Sequence, residues 1–329
     1  AVMRNNRPLL AYLAGKPERL TSQDHIALPG ETVAKQIVAI NNARVPVVCQ
    51  AVWSLDLPES LGGTVDLRLD PGEQARVPLL LPLPDGLAAG SYRLVLEARF
   101  RSAAEAVRPL DETQNDAFAI DVLPRPAPVR APSRVALFDP LGETGALLSG
   151  LGVPFQSVGA DADLAGVDVL IVGKAALTSD GPAPHLGRVA DGLRVLVFEQ
   201  TSQALEQRLG FRVQEHGLRQ VWPCVGDHPV LAGLEAQHLR DWRGDATLVP
   251  PRLTYEPSTR YGGVPTVRWC GIEVPRLWRC GTRGSVASVL IEKPARGDFL
   301  PIAAGGFGLQ YSPLLEYREG RGMVFFCQM

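Results

Sequence analysis

The sequence predicts two domains of different class, an all-β sandwich followed by a doubly wound α/β sheet. Three observations carry that prediction. The run Pro124-Arg125-Pro126-Ala127-Pro128-Val129-Arg130-Ala131-Pro132-Ser133 holds four prolines in ten residues, has few donors and favours polyproline geometry, so it reads as a stiff linker. Before it, short apolar runs are separated by Gly/Pro turns; after it, continuous apolar runs alternate with helical segments. The 329 residues are enough for about two cores. The expected divisions are 1–123 for the sandwich, 124–133 for the linker and 134–329 for the α/β domain.

In the first domain, 33–40 reads as a strand closed by Asn41-Asn42, and 45–57 as a second carrying Val47, Val48, Val52, Trp53 and Leu55. Residues 65–69 alternate Val-Asp-Leu-Arg-Leu, the period-2 pattern of a half-buried strand. Residues 77–83 contain Pro78 and Pro82, which place that strand at a sheet edge. Residues 92–100 alternate again, and 118–122 is the last strand. Pro29-Gly30-Glu31 and Pro71-Gly72-Glu73 repeat one turn ahead of a strand, a device of immunoglobulin-like sandwiches.

The second domain opens with a strand at 134–138, a turn at Asp139-Pro140-Leu141-Gly142 and a helix at 144–151. A strand follows at 154–157 and a fully apolar one at 167–172. Residues 185–190 read as helix, 193–198 as a buried strand, and 202–209 as a helix stopped by Gly210. Buried strands alternating with helices predict a parallel, doubly wound sheet. From about Thr247 short strands return, with 286–292 and 323–327 the strongest. A domain that ends on a strand with no helix over its sheet reads as truncated.

Composition excludes several classes. A formal net charge of −2 calls for neither a nucleic-acid partner nor a membrane partner, and no apolar run reaches membrane-spanning length. Only four lysines occur (16, 35, 174, 293) against 33 basic residues, a bias that reads as genomic rather than as arginine chemistry. The five cysteines, 49, 224, 270, 280 and 327, form no C-x-x-C, so no zinc ribbon or redox pair is expected. Cys49 and Cys327 read as small buried hydrophobes. A reducing compartment such as the cytoplasm suits this usage, with a periplasmic or secreted parent left open. No metal ligand set and no cofactor are expected.

Candidate chemistry concentrates where a buried strand runs into a turn and a helix. That junction is Phe198-Glu199-Gln200-Thr201. It carries no nucleophile with a base beside it, so it reads as a capped helix start, with Glu199 free for polar binding. Lys174, after the preceding strand, points into the same crevice, and Thr178 follows it. A second cluster, Asp241, Trp242, Arg243 and Asp245, has two readings. Aromatic faces and bidentate arginines suit a sugar; the same residues also make a structural salt-bridge knot. The histidines show no metal-ligand spacing.

Two resemblances follow from these residues. The stretch from Asp24-His25 through Pro29-Gly30-Glu31-Thr32-Val33 to Asn41-Asn42 resembles the sandwich domains that follow the catalytic barrel in large bacterial glycoside hydrolases of the family 2 and beta-galactosidase type. The second domain, flavodoxin-like in its expected winding, resembles class I glutamine amidotransferases and the related domain of some beta-galactosidases. That family needs a Cys at the elbow and a later Gln-Phe-His-Pro-Glu. Here the elbow is Phe198-Glu199-Gln200, and the later stretch is Gln310-Tyr311-Ser312-Pro313-Leu314, so thiol, imidazole and carboxylate are all replaced. Residues 283–294 and 297–301 resemble the tail of the same hydrolases. The resemblance implies a non-catalytic accessory region of a glycoside hydrolase, partnered by a catalytic barrel outside this chain, with carbohydrate and a homo-oligomer as further partners. The ligand crevice would be Lys174, Thr178, Glu199, Gln200, Thr201 and Ser312, with no catalytic residue. The rival readings are a free-standing hydrolase or transferase using the Glu199 crevice, and a carbohydrate-binding protein.

Overall fold

The computed structural model describes residues 6–103, 110–126, 133–249, 266–269, 272–275 and 283–329. Strands hold 45% of these residues and helices of every kind 10%, so the chain is predominantly β. It divides into two compact units, Ala1–Arg125 and Pro126–Met329.

The first unit is a β-sandwich. Its strands are β1 (Leu9–Ala14), β2 (Ile26–Ala27), β3 (Thr32–Asn41), β4 (Val47–Leu55), β5 (Leu61–Leu69), β6 (Gln74–Pro82), β7 (Gly90–Ser102) and β8 (Asp111–Val122). One sheet has the order β1-β3-β6 and the other β2-β8-β7-β4-β5. All pairs are antiparallel except β2 with β8. Alternate residues of each strand supply one core, among them Leu9, Ile37, Cys49, Leu55, Leu81, Leu94, Leu96, Phe100 and Ile120. All six strands read from the sequence are present, and proline-bearing β6 lies at a sheet edge.

The repeated turn has one geometry. Gly30 and Gly72 both sit at φ +82, which only glycine adopts without strain, and a preceding Pro makes each a type II turn. Glu31 N–H donates to Leu28 O, and Glu73 N–H to Asp70 O. Each glutamate side chain then reaches back to the turn's first N–H, Leu28 at 2.7 Å and Asp70 at 2.8 Å.

β1 was not legible as a strand. Its outer edge is closed by side chains of β8. Gln114 accepts from Ala11 N–H at 2.9 Å and donates to Leu9 O at 2.8 Å, and Asp116 accepts from Leu13 N–H at 2.9 Å. These bonds satisfy an edge that would otherwise be open to another chain.

The second unit holds β9 (Val135–Phe138), α1 (Glu143–Gly150), β10 (Gln156–Ser157), β11 (Val169–Val172), β12 (Arg194–Val197), β13 (Val213–Leu218) and β14 (Trp222–Pro223). It continues with β15 (Thr266–Trp269), β16 (Ile272–Pro275), β17 (Ala287–Glu292), β18 (Phe299–Gly305), β19 (Tyr311–Glu319) and β20 (Gly322–Cys327). They form one mixed sheet, β10-β9-β11-β12-β20-β19-β17-β13-β15-β16, with β18 against β19 and β14 against β18. The links from β10 to β20 are parallel and the rest antiparallel.

The doubly wound flavodoxin-like domain is therefore a correction. The five parallel strands do follow the chain order 2-1-3-4-5 of such sheets, and β12 is central. The helical layers do not accompany them: among the described residues α1 is the only α-helix. The segment expected as helix at 185–190 makes a 3₁₀ turn, Leu186–Val189, and that at 202–209 a π-helical turn, Ala204–Arg208. Seven further strands widen the sheet instead. Segments this short cannot repay helix nucleation unless packing rewards them, and strand pairing took the backbone from 213 onward.

Candidate functional site

Parallel strands align their carboxyl ends, and in this sheet those ends bring together Asp139, Lys174, Glu199 and Cys327. Gly173 is required there, because a Cβ would stand 2.4 Å from Asp139 Oδ1. Asp139 Oδ2 in turn accepts from Gly145 N–H at 2.7 Å, holding the first turn of α1. Lys174 N–H donates to Thr144 Oγ1 at 2.8 Å. Its Nζ donates to Thr247 Oγ1 at 2.5 Å and pairs with Glu143 at 3.3 Å.

Glu199 follows β12 and is partly buried. Ser288 of β17 donates to its Oε1 at 3.3 Å. Burial pushes the Glu199 carboxyl above the usual range; the Lys174 charge and the Ser288 bond pull against that, and Glu143 adds to it. Cys327, at the end of β20, has its thiol pushed up chiefly by burial. A backbone bond from Met329 opposes this, and the nearby Glu199 charge reinforces it. The thiol is thus held protonated rather than as the nucleophilic thiolate.

Gln200 forms the floor and is fully buried. Its Oε1 accepts from Leu177 N–H at 2.9 Å, and its Nε2 donates to Gly173 O and Phe198 O, each at 2.7 Å. Its backbone N–H donates to Gln328 Oε1 at 3.0 Å, and Gln328 N–H donates to Pro313 O at 2.8 Å. Gln328 therefore ties the elbow to the 310–314 stretch. Thr178 accepts from Gly181 N–H at 2.9 Å and Thr201 from Ala204 N–H at 3.2 Å, both within local turns. Ser312 is buried in β19 and donates to Ala303 O and Leu314 O. Of the six crevice candidates, the structure joins Lys174 and Glu199 through their charges, places Gln200 beneath them, and engages Thr178, Thr201 and Ser312 with backbone.

The residues that sequence reasoning missed here are Glu143, Thr247, Ser288, Cys327 and Gln328. Ser288 had one signal, a hydroxyl inside the apolar run 286–291. The others become neighbours only in the tertiary fold.

In the second cluster, Asp241, Trp242 and Asp245 find partners outside it. Asp241, at φ +46, pairs with Arg219 at 2.6 Å, and its N–H donates to Arg219 O. Trp242 donates through Nε1 to His238 O at 2.8 Å and packs against the core around Tyr311 and Leu314. Asp245 forms an isolated antiparallel bridge with Arg283, and Arg243 is exposed. Cys270 and Cys280 lie outside the described residues.

Glu316 of β19 forms a further buried polar group. It is 1% exposed, accepts from Arg318 Nε at 2.6 Å, and meets His228 Nε2 at 3.2 Å. His228 stacks on Phe325 at 6.4 Å between ring centres. Burial acts to raise the Glu316 carboxyl, but the bonds and charges of Arg318 and His228 outweigh it and hold it below the usual range.

No protein-family model matches the sequence, and no characterised protein matches it closely. Among solved structures, the chain overlaps a PapD-like domain of human CEP192 at 11% identity, covering 36% of this chain and 87% of that one with a TM-score of 0.25. It overlaps a CARDB domain from Pyrococcus furiosus at 14% identity, 35% and 87% coverage, and a TM-score of 0.26. A family 123 glycoside hydrolase from Clostridium perfringens covers 54% of this chain and 40% of its own, at 12% identity and a TM-score of 0.22. Overlap at this level assigns neither a family nor an activity.

Proposed function

We propose that the chain is a non-catalytic accessory region of a carbohydrate-processing hydrolase, in which an immunoglobulin-like sandwich and a degenerate amidotransferase-like sheet organise a catalytic barrel or an oligomer. The observation that carries this reading is Gln200. At the elbow, where the resemblance requires a nucleophilic thiol, Gln200 instead bonds through its buried side-chain amide to Leu177, Gly173 and Phe198, and through its backbone N–H to Gln328 after β20. Ser312, where that family has an imidazole, is likewise bonded to backbone. A thiolate activated by an imidazole is the requirement for amide hydrolysis by such a fold, and these side chains serve as scaffold.

A second reading, a hydrolase acting at Glu199, draws on one observation: burial raises that carboxyl toward the range of a general acid. One experiment separates the two. The purified chain is assayed against glutamine and a panel of aryl glycosides beside the Glu199→Gln variant. The accessory reading expects no turnover above the blank in either protein. Turnover that disappears in the variant overturns it and establishes the second reading.

A further inference from the structure

A cavity of about 560 Å³ lies on one face of the second unit's sheet, away from the polar residues at the strand ends. Its floor is Val172, Val197 and Phe326, register partners across β11, β12 and β20. In a doubly wound sheet, crossover helices cover such a face. Here residues 173–193 supply a single 3₁₀ turn and residues 198–210 a single π turn; the floor side chains are buried in the core cluster, and the accessible surface of this ligand-sized cavity belongs to its wall and rim.

The wall is aromatic. Phe211 meets Phe299 edge-on at 6.0 Å and Phe326 at 5.1 Å, and Phe299 lies on Tyr317 at 4.6 Å. Phe211, Phe299 and Tyr317 are each only partly buried, which leaves ring surface for a guest. Edge-to-face geometry is what another ring would extend.

The polar rim is biased toward donors. Arg208 Nη1 donates to Gly181 O at 2.6 Å and Thr178 O at 3.1 Å. Carbonyls fix the guanidinium without neutralising it, and among the described residues no carboxylate pairs with it. His185 Nδ1 accepts from Gly187 N–H at 3.2 Å, so in the neutral ring the proton sits on Nε2. Glu319 also reaches the rim but is exposed, whereas Arg208 is partly buried. The less screened charge is therefore positive.

We infer that this cavity binds a small aromatic carboxylate, with its ring against Phe211, Phe299 and Tyr317 and its anion on Arg208 and His185. The site goes beyond the accessory role and does not depend on it.

The test is calorimetric titration of the full chain with 4-phenylbutyrate, 4-phenylbutanol and 4-phenylbutylamine, which share a ring and differ in the head group. The carboxylate is expected to bind at one site per chain, about tenfold tighter than the alcohol, with the amine weakest. Arg208→Gln should bring the carboxylate down to the alcohol's affinity and leave the alcohol unchanged. Ala183→Trp, which fills the cavity from its wall, should abolish binding of all three. Failure of every probe to bind the unmodified chain at millimolar concentration overturns the inference. So does an amine or alcohol that binds as tightly as the carboxylate, or binding that survives Ala183→Trp in a folded variant. The head-group comparison needs no variant, so a misfolded variant does not remove the test.

Discussion

Replacing Gln200 by Leu tests whether the elbow is scaffold. The side chain is fully buried and serves three backbone groups. Gly173 O keeps a second donor, Ala176 N–H, so the substitution orphans two groups, Leu177 N–H and Phe198 O. At about 1–3 kcal/mol per buried orphan, the loss is about 2–6 kcal/mol. Burying leucine's apolar surface returns about 1–2 kcal/mol, so the mid-range values leave a net cost of about 2.5 kcal/mol. Total stability of a domain is about 5–15 kcal/mol, so the second unit should remain folded but measurably weakened. Urea unfolding is followed by tryptophan fluorescence in a Trp53→Phe background, which confines the signal to the second unit. With a slope of about 1–3 kcal/mol per molar, the midpoint should fall by about 1–2 M. Gln200→Glu should cost at least as much, because a carboxylate cannot donate to the two carbonyls. A midpoint shift under about 0.3 M in Gln200→Leu would refute the scaffold argument.

Glu199 and Glu316 should respond to pH in opposite directions. The raised Glu199 carboxyl contributes stability below the unfolded value near 4.3 and loses it as pH rises through the folded value, so Glu199→Gln should stabilise the chain at neutral pH and become neutral in acid. The depressed Glu316 carboxyl contributes above the unfolded value and loses its contribution as pH falls through the folded one. Glu316→Gln should therefore destabilise at neutral pH, with the difference closing in acid; melts across pH 3 to 8, about the range where carboxylates titrate, read both. Burial pushes the Cys49 thiol up to about 12, whereas Cys224 is exposed. Iodoacetamide followed by peptide mapping should label Cys224 in the folded chain and Cys49 only after unfolding. Gly72→Ala should lower stability by about 1–2 kcal/mol through its left-handed backbone, and Gly72→Asn by less, as thermal melts will show.

Legibility followed the range of the interactions. The six sandwich strands were readable because period-2 alternation and a Pro-Gly-Glu turn are local, and the turn's bonds span three residues. β1 was not, because its outer edge is satisfied by Gln114 and Asp116, about a hundred positions away. In the crevice, Lys174 and Glu199 were legible since each follows a visible apolar strand. Ser288 and Cys327 were not, because their approach to Glu199 depends on β20 pairing directly with β12 and on β17 entering the same sheet two strands beyond β20. The Glu316–His228 pair spans 88 positions, and no local pattern marks it.

What the sequence by itself determined is the positions of six sandwich strands and the two turns that demand glycine, since burial alternation and backbone sterics act on neighbouring residues; most of the expected linker, 127–132, lies outside the described residues. Only the tertiary structure decided whether the segments between parallel strands became helices. A short segment earns a helix when it has a face to cover, and here the chain from 213 onward extended the sheet while 173–193 stayed irregular. That choice leaves a cavity walled by Phe211, Phe299 and Tyr317 over the buried Val172, Val197 and Phe326, because covering a sheet is a property of what packs against it and not of the strands that form it.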